Sequence, residues 1–157
     1  NVLNKIIRRE NAFTEVSFFS NLNTNNIFYL LQKSNIYVSL NRYGNLSNAN
    51  IEAMINSKAM IIPKSQKEKN IDIYTEKILK ENTVYRVTNS NAKEEIAGAI
   101  IYLAKNKRIR NNLEKNIYSV SNVHIKSWEY RIKAEYKLLN LIDLGNEDEL
   151  RDYLEVL

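Results

Sequence analysis

The amino-acid sequence predicts an α/β domain: a parallel sheet flanked by helices, ending in a helical segment. Three observations predict it. The runs Thr14–Phe19, Ile36–Leu40, Ala59–Ile62 and Thr83–Val87 are short, rich in β-branched and aromatic residues, and bounded by turn formers. Segments with apolar residues at helical spacing separate the first three runs, and such alternation implies right-handed crossovers between parallel strands. From Asn91 onward the periodicity is helical throughout.

Each element has its own local warrant. After the first run, Ser20 to Asn23 supplies turn residues, and Thr24 opens a helix carrying Ile27, Phe28, Leu30 and Leu31. Asn35 ends it. The loop Asn41 to Leu46 contains Gly44, and Ser47 then caps a helix whose expected inner face is Ile51, Met54 and Ile55. Pro63 stops the third strand. Residues Lys64 to Asn82 are polar, with one helical turn near Thr75 to Leu79. Asn91 and Glu94 have capping-box spacing ahead of a helix through Lys105, with Ile96, Ile100 and Leu103 inward. Arg108 to Tyr118 forms another, packed through Ile109, Leu113 and Ile117. Ser127 caps a long helix that places Trp128, Ile132, Tyr136, Leu139 and Ile142 on one face. Gly145 closes it, and an acidic helix spans Glu147 to Leu157.

The composition excludes several classes of protein. A length of 157 residues with 44% hydrophobic residues supports one globular core, not a disordered chain. No apolar run approaches the roughly 20 residues that cross a bilayer. Lys5, Arg8 and Arg9 precede no apolar stretch, so the start does not read as a signal peptide. The chain has no cysteine, which removes disulfides, thiolate metal sites and thiol nucleophiles together. His124 is the single histidine, so neither a metal site nor a histidine relay is expected, and a structural role suits it. Asn1, not Met, stands first, so the chain is expected to be a piece of a longer protein.

The net charge of +5 is unevenly spread: from Asp143 onward six acids face Arg151 alone, and residues 1–142 carry ten surplus positive charges. A basic body favours an anionic partner, whether nucleic acid, a lipid surface or a nucleotide diphosphate. The basic residues are dispersed, and the ten tyrosines mostly sit at core spacing, so packing accounts for them better than base stacking does.

The segment richest in chemistry is Ser39-Leu-Asn-Arg-Tyr-Gly-Asn-Leu-Ser-Asn-Ala-Asn-Ile-Glu-Ala-Met54. It leaves a strand end, crosses a polar loop and enters a helix whose first amides have no partner within the helix, a geometry suited to a diphosphate. In a parallel sheet, ligands sit beyond the carboxyl ends of the strands. Glu52 is the only acid between Glu15 and Glu68. A carboxylate beside an anion site can accept hydrogen bonds from the vicinal hydroxyls of a ribose. The alternative reading makes Glu52 a solvent-facing helix residue next to Lys58.

This segment resembles the donor-binding motif of the retaining, nucleotide-sugar-dependent GT-B glycosyltransferases of the group 1, or family 4, type. There two glutamates flank seven residues and precede Ala-Met. The likeness extends over roughly residues 14–142. Val16-Ser-Phe-Phe-Ser-Asn21 is similar to the strand and nucleotide-base loop, and Ile27 to Leu40 to the next helix and strand. Met60-Ile-Ile62 is similar to the strand after the motif, Asn91 to Lys105 to a later helix. Ile125-Lys-Ser-Trp-Glu-Tyr-Arg-Ile132 is similar to the Ser-Trp helix that crosses back to the N-terminal domain.

The resemblance implies a partial, Rossmann-like C-terminal half of a GT-B fold over 1–142, with 143–157 as an acidic C-terminal helix. Glu52 would bind the ribose, and Asn45, Leu46, Ser47, Asn48 and Ala49 would meet the diphosphate and the transferred sugar. Asn21 and Leu22 would lie near the base, and Arg42 and Tyr43 are further candidates for donor or acceptor contact. No cofactor or metal is implied beyond the substrate, a nucleoside-diphosphate sugar. The partners implied are that nucleotide sugar, an N-terminal GT-B domain and a glycan or lipid-linked acceptor. Cell-surface polysaccharide biosynthesis is the implied setting. The location would be cytoplasmic, free or peripheral at the inner face of the membrane.

The sequence departs from that pattern in three places. The first motif glutamate falls on Gly44, where Asn45 or Asn48 would have to supply an amide instead. Pro63-Lys-Ser-Gln replaces the usual Gly-Gly loop. The glycine-rich loop and the Arg/Lys pair that neutralise the leaving diphosphate have no counterpart, so these residues alone should be nearly inert. Gly44 equally suits a non-catalytic glycosyltransferase-like domain or subunit. A basic nucleic-acid-binding module is the distant alternative, and no nucleic-acid partner is expected. Without an N-terminal domain the Trp128 face should be partly exposed and promote self-association.

Overall fold

The computed structural model describes residues 16–41, 46–65, 68 and 73–156. Its elements run α1 (Thr24–Lys33), β1 (Ile36–Val38), α2 (Asn48–Ile55), β2 (Ala59–Pro63), α3 (Ile73–Ile78), β3 (Tyr85–Val87), α4 (Lys93–Lys105), α5 (Lys107–His124), α6 (Trp128–Asp143) and α7 (Glu147–Val156). The three strands pair in parallel in the order β1-β2-β3, with Tyr37 opposite Met60 and Ile62 opposite Arg86. The predicted class, a parallel sheet flanked by helices and ending in helix, is what forms.

β2 is the central strand, and all five of its residues are buried. Strand alternation sends Met60 and Ile62 to one face, where they meet Ala53 and Met54 of α2, Leu79, Val84 and Ile117 of α5. Ala59 and Ile61 go to the other face and pack with Val87, Ile96, Ala99 and Leu103 of α4, and Leu113. Burial on both faces is the usual condition of a parallel sheet. Pro63 does not lie beyond the strand end as expected: it is the last ladder residue, opposite Val87. Its missing N–H is tolerated there, while its carbonyl accepts from Arg86 Nη1 at 2.8 Å. Arg86 Nη2 also donates to Leu79 O at 2.9 Å, so one guanidinium ties β2 to the chain end of α3.

Several sequence expectations need correction. No strand forms at residues 16–19; Thr14 and Glu15 lie outside the described residues. Val16, Phe18 and Phe19 are exposed. A β-prone run becomes a strand only when a ladder neighbour satisfies its amides, and none of the described strands pairs with this one. The inner face of α2 is Asn50, Ala53 and Met54; Ile55 is exposed and Ile51 half-buried. In α4, Ala99 takes the inward place expected for Ile100, which is exposed. In α5, Leu113 and Ile117 are buried and Ile109 is exposed. Alanines thus take inward places in α2 and α4, and the bulkier isoleucines beside them go to the flank.

Three helix ends are capped as their residue types predict. Ser47 accepts from Asn50 N at 3.3 Å and Ser127 accepts from Tyr130 N at 3.2 Å. Gly145 takes a φ of +66°, with Gly145 N bonded to Ile142 O and Asn146 N to Leu141 O. Two helix starts differ from expectation. Asn23, not Thr24, caps α1 by accepting from Asn26 N. Asn91 with Glu94 makes no capping box: α4 begins at Lys93 without a side-chain cap. Glu95 instead accepts from Thr88 N and Oγ1, fastening the helix start to the end of β3.

α6 and α7 form an antiparallel hairpin about Gly145. Tyr153 Oη donates to Ala134 O at 3.2 Å, and Lys137 Nζ lies 4.4 Å from the Tyr153 ring centroid. The expected Trp128 face of α6 points outward along its whole length. Among the described residues no helix is long and apolar enough to cross a membrane.

Candidate functional site

The end of β1 and the start of α2 build the candidate site. Ser39 follows β1, is buried, and donates its amide to Ile61 O at 3.0 Å, which locks the strand end against β2. Ser47 then starts α2 with φ −72° and ψ 162°, an extended N-cap whose side chain takes up the third amide of the helix. The Asn48 and Ala49 amides make no bond to another described residue, and an anion there would find both the amides and the helix dipole.

Beside that start lies a polar cluster that sequence reading did not single out. Tyr37 projects from β1 onto the α2 face of the sheet, and its hydroxyl donates to Asn50 Oδ1 at 3.0 Å. Asn50 is almost wholly buried, so this bond satisfies an amide that would otherwise be costly to enclose. Burial pushes the Tyr37 hydroxyl above the usual phenol range; a hydrogen bond with Ser39 works against that rise, and the negative charge of Glu52 adds to it. The signal was present in the sequence: strand alternation sends Tyr37 to the α2 side, and position 50 is the third residue of α2.

Glu52 is half-buried and within electrostatic reach of the Tyr37 hydroxyl. Lys58, the neighbour that a solvent-facing role for Glu52 would use, is committed elsewhere: its Nζ donates to Ser34 O at 3.2 Å and Gln32 O at 3.4 Å, capping the end of α1. No hydrogen bond or ion pair to the Glu52 carboxylate is found among the described residues. Tyr37 belongs to β1, an edge strand of the described sheet.

The remaining predicted residues divide. Leu22 joins the same region: it lines a groove of about 300 Å³ with Ile27, Leu31, Ile36, Tyr37 and Val38. Asn21 is exposed, with a φ of 55° that turns the chain into the Asn23 cap. The Leu46 side chain points elsewhere, into a cavity of about 450 Å³ between α2 and α6 that Met54, Ile125, Tyr130 and Leu138 also line. A diphosphate role for Leu46 would therefore fall to its backbone. Asn48 and Ala49 are exposed at the helix start. Arg42, Tyr43, Gly44 and Asn45 lie outside the described residues.

This arrangement can hold a small anion at the α2 amides and accept hydroxyl hydrogen bonds at Glu52. Comparison with protein-family models, with curated proteins and with solved structures returned no match.

Proposed function

We propose that the chain is the donor-binding part of a retaining GT-B-type hexosyltransferase that uses a nucleoside-diphosphate sugar. In this reading the sugar passes to a glycan or lipid-linked acceptor, and an N-terminal domain completes the enzyme. One observation carries the proposal: Glu52, half-buried and with no cationic partner among the described residues, lies one turn into a helix that follows a parallel strand and whose first amides make no bond to another described residue. The amides of Asn48 and Ala49 receive the diphosphate, and Glu52 accepts from the ribose hydroxyls. Tyr37 and Asn50 hold the helix start in place. No protein nucleophile is required: the departing diphosphate is stabilised as charge develops on it, and the acceptor attacks from the same face. The resemblance assigns the basic pair that such a departure needs to no residue of this sequence, so in this reading these residues bind donor without turning it over.

Gly44 favours a second reading on the same fold, a non-catalytic glycosyltransferase-like domain. The two part on activity of the full-length gene product: hydrolysis of any one of a panel of nucleotide sugars supports the enzyme, and a silent panel supports the binding domain.

The binding claim common to both is tested on this chain by calorimetric titration with uridine, guanosine, adenosine and cytidine diphosphates. At least one should bind, and Glu52→Gln should weaken it by about 1–3 kcal/mol, typical of a lost charged hydrogen bond. The matching 2′-deoxynucleotide should lose a similar amount and show no further loss in Glu52→Gln. Equal affinity of wild type and variant removes Glu52 from the ribose role.

A further inference from the structure

The cavity of about 450 Å³ between α2 and α6 has no part in the nucleotide reading, which uses only the backbone of Leu46 and leaves its side chain to the cavity. Its volume falls within the roughly 300–1,000 Å³ of small-molecule sites. α6 borders it through Tyr130, Ala134 and Leu138, a different side of the helix from the stripe of Trp128, Ile132, Tyr136 and Leu139.

The lining sorts by chemistry. Every lining residue that is buried or half-buried is apolar, among them Leu46, Ile51 and the fully enclosed Met54 on the α2 side, and Ala134 and Leu138 on α6. Every lining residue that is exposed carries a polar or charged group: His124, Lys126, Tyr130, Arg131 and Glu135. The enclosed part of a ligand therefore meets no polar side chain. A sugar, a nucleotide or a peptide backbone would leave its own polar groups without partners there, whereas an apolar chain loses nothing.

The rim decides the sign of the head group. Arg131 Nε and Glu135 Oε1 lie 2.8 Å apart, so these two charges neutralise each other. Lys126 has no such partner: it makes no hydrogen bond or ion pair with a described residue, and its Nζ stands 5.7 Å from the centroid of the Tyr130 ring. His124 likewise has no hydrogen-bond partner among the described residues. Glu129, the acid nearest to Lys126 in sequence, does not line the cavity. The charge left over at the rim is positive, and the Tyr130 ring holds it there.

We propose that this cavity binds a lipid with a single apolar chain and an anionic head group, the chain lying between α2 and α6 and the head group beside Lys126 and His124. Glu52 and the amides of Asn48 and Ala49 take no part, so a failure to bind nucleotides leaves this site standing, and the converse holds.

Dodecyl phosphate, titrated below its micelle-forming concentration, tests the site. Calorimetry should show saturable binding of one molecule per chain, with amide shifts at Ile51, Met54 and Leu138. Dodecyltrimethylammonium, the same chain with a cationic head, should bind about fivefold more weakly, and inorganic phosphate should show no saturable binding. Lys126→Glu, at an exposed position, should weaken dodecyl phosphate about fivefold, the upper range for one exposed ion pair, and bring the two amphiphiles to similar affinities. Ala134→Phe, which fills the cavity from α6, should abolish binding with the far-ultraviolet dichroism unchanged. Absence of saturable binding overturns the proposal, as does equal affinity of the two amphiphiles for the unmodified chain. Binding unaltered by Lys126→Glu, binding that survives Ala134→Phe, or shifts confined to Ile132, Tyr136 and Leu139 on the outer stripe would each do the same.

Discussion

The three-stranded body and the α6–α7 hairpin use the same residue types to opposite ends. In the body, Met60, Ile61 and Leu103 are fully enclosed, and every residue of β2 is buried between two layers of helix. In the hairpin, Trp128, Tyr136 and Leu139 are among the most exposed large side chains described. Both regions have clean periodicity in the sequence. The contrast teaches that periodicity identifies an apolar face, while the neighbours available decide whether the face becomes core or surface.

The contrast is broken most severely by truncating its two sides in turn. Ile61→Ala should destabilise the chain by about 2–5 kcal/mol, the range for an aliphatic side chain lost from a packed core. Ile132→Ala, measured at a concentration where the chain is monomeric, should change stability by no more than about 0.5 kcal/mol. Urea denaturation of both variants checks the pair. Similar losses at the two sites would mean that the hairpin face is packed in solution and that the contrast is wrong.

A smaller effect is expected at the hinge of the hairpin. Gly145 has a φ of +66° and no heavy atom within 4 Å of where a Cβ would stand. Gly145→Ala should therefore cost about 1 kcal/mol through the backbone alone. Amide exchange should locate that loss in α6 and α7, leaving the strand amides as protected as before.

The smallest effect concerns the site. Tyr37→Phe forfeits one hydrogen bond to Asn50 and should cost about 0.5–1.5 kcal/mol at neutral pH. The pH dependence has a definite sign. Because the folded Tyr37 hydroxyl is pushed above the ordinary value of 10.0, its contribution is whole below that pH and is lost as pH rises through the folded value. Wild type should therefore lose stability relative to Tyr37→Phe above pH 10.0, as thermal melts at graded alkaline pH would show.

Much of the body was legible because local chemistry and tertiary context agree there. Ser47, Ser127 and Gly145 perform the capping roles their residue types announce, and three of the four expected strands form near their expected places. The failures have two physical sources. At Ala53 and Ala99 an alanine takes the buried place, whereas a pattern of large apolar residues points to Ile55 and Ile100. At Val16 to Phe19 strand propensity is present but a ladder neighbour is not, and propensity alone does not order a strand. The site was half legible. Glu52 and the Ser47 helix start stand out in sequence as a lone acid and an N-cap. The bond between Tyr37 and Asn50 links residues 13 apart and depends on how a helix seats on a strand.

The central claim is that the start of α2 and Glu52 together receive a nucleoside diphosphate. Nitrogen-proton correlation spectra of the labelled chain, recorded while the best-binding nucleoside diphosphate is added, test it most directly. The account predicts shifts concentrated at the amides of Asn48, Ala49 and Glu52, with inorganic pyrophosphate reproducing those of Asn48 and Ala49 and leaving Glu52 largely unmoved. Shifts confined to α6 and α7, or saturation without any change at the α2 start, would contradict it.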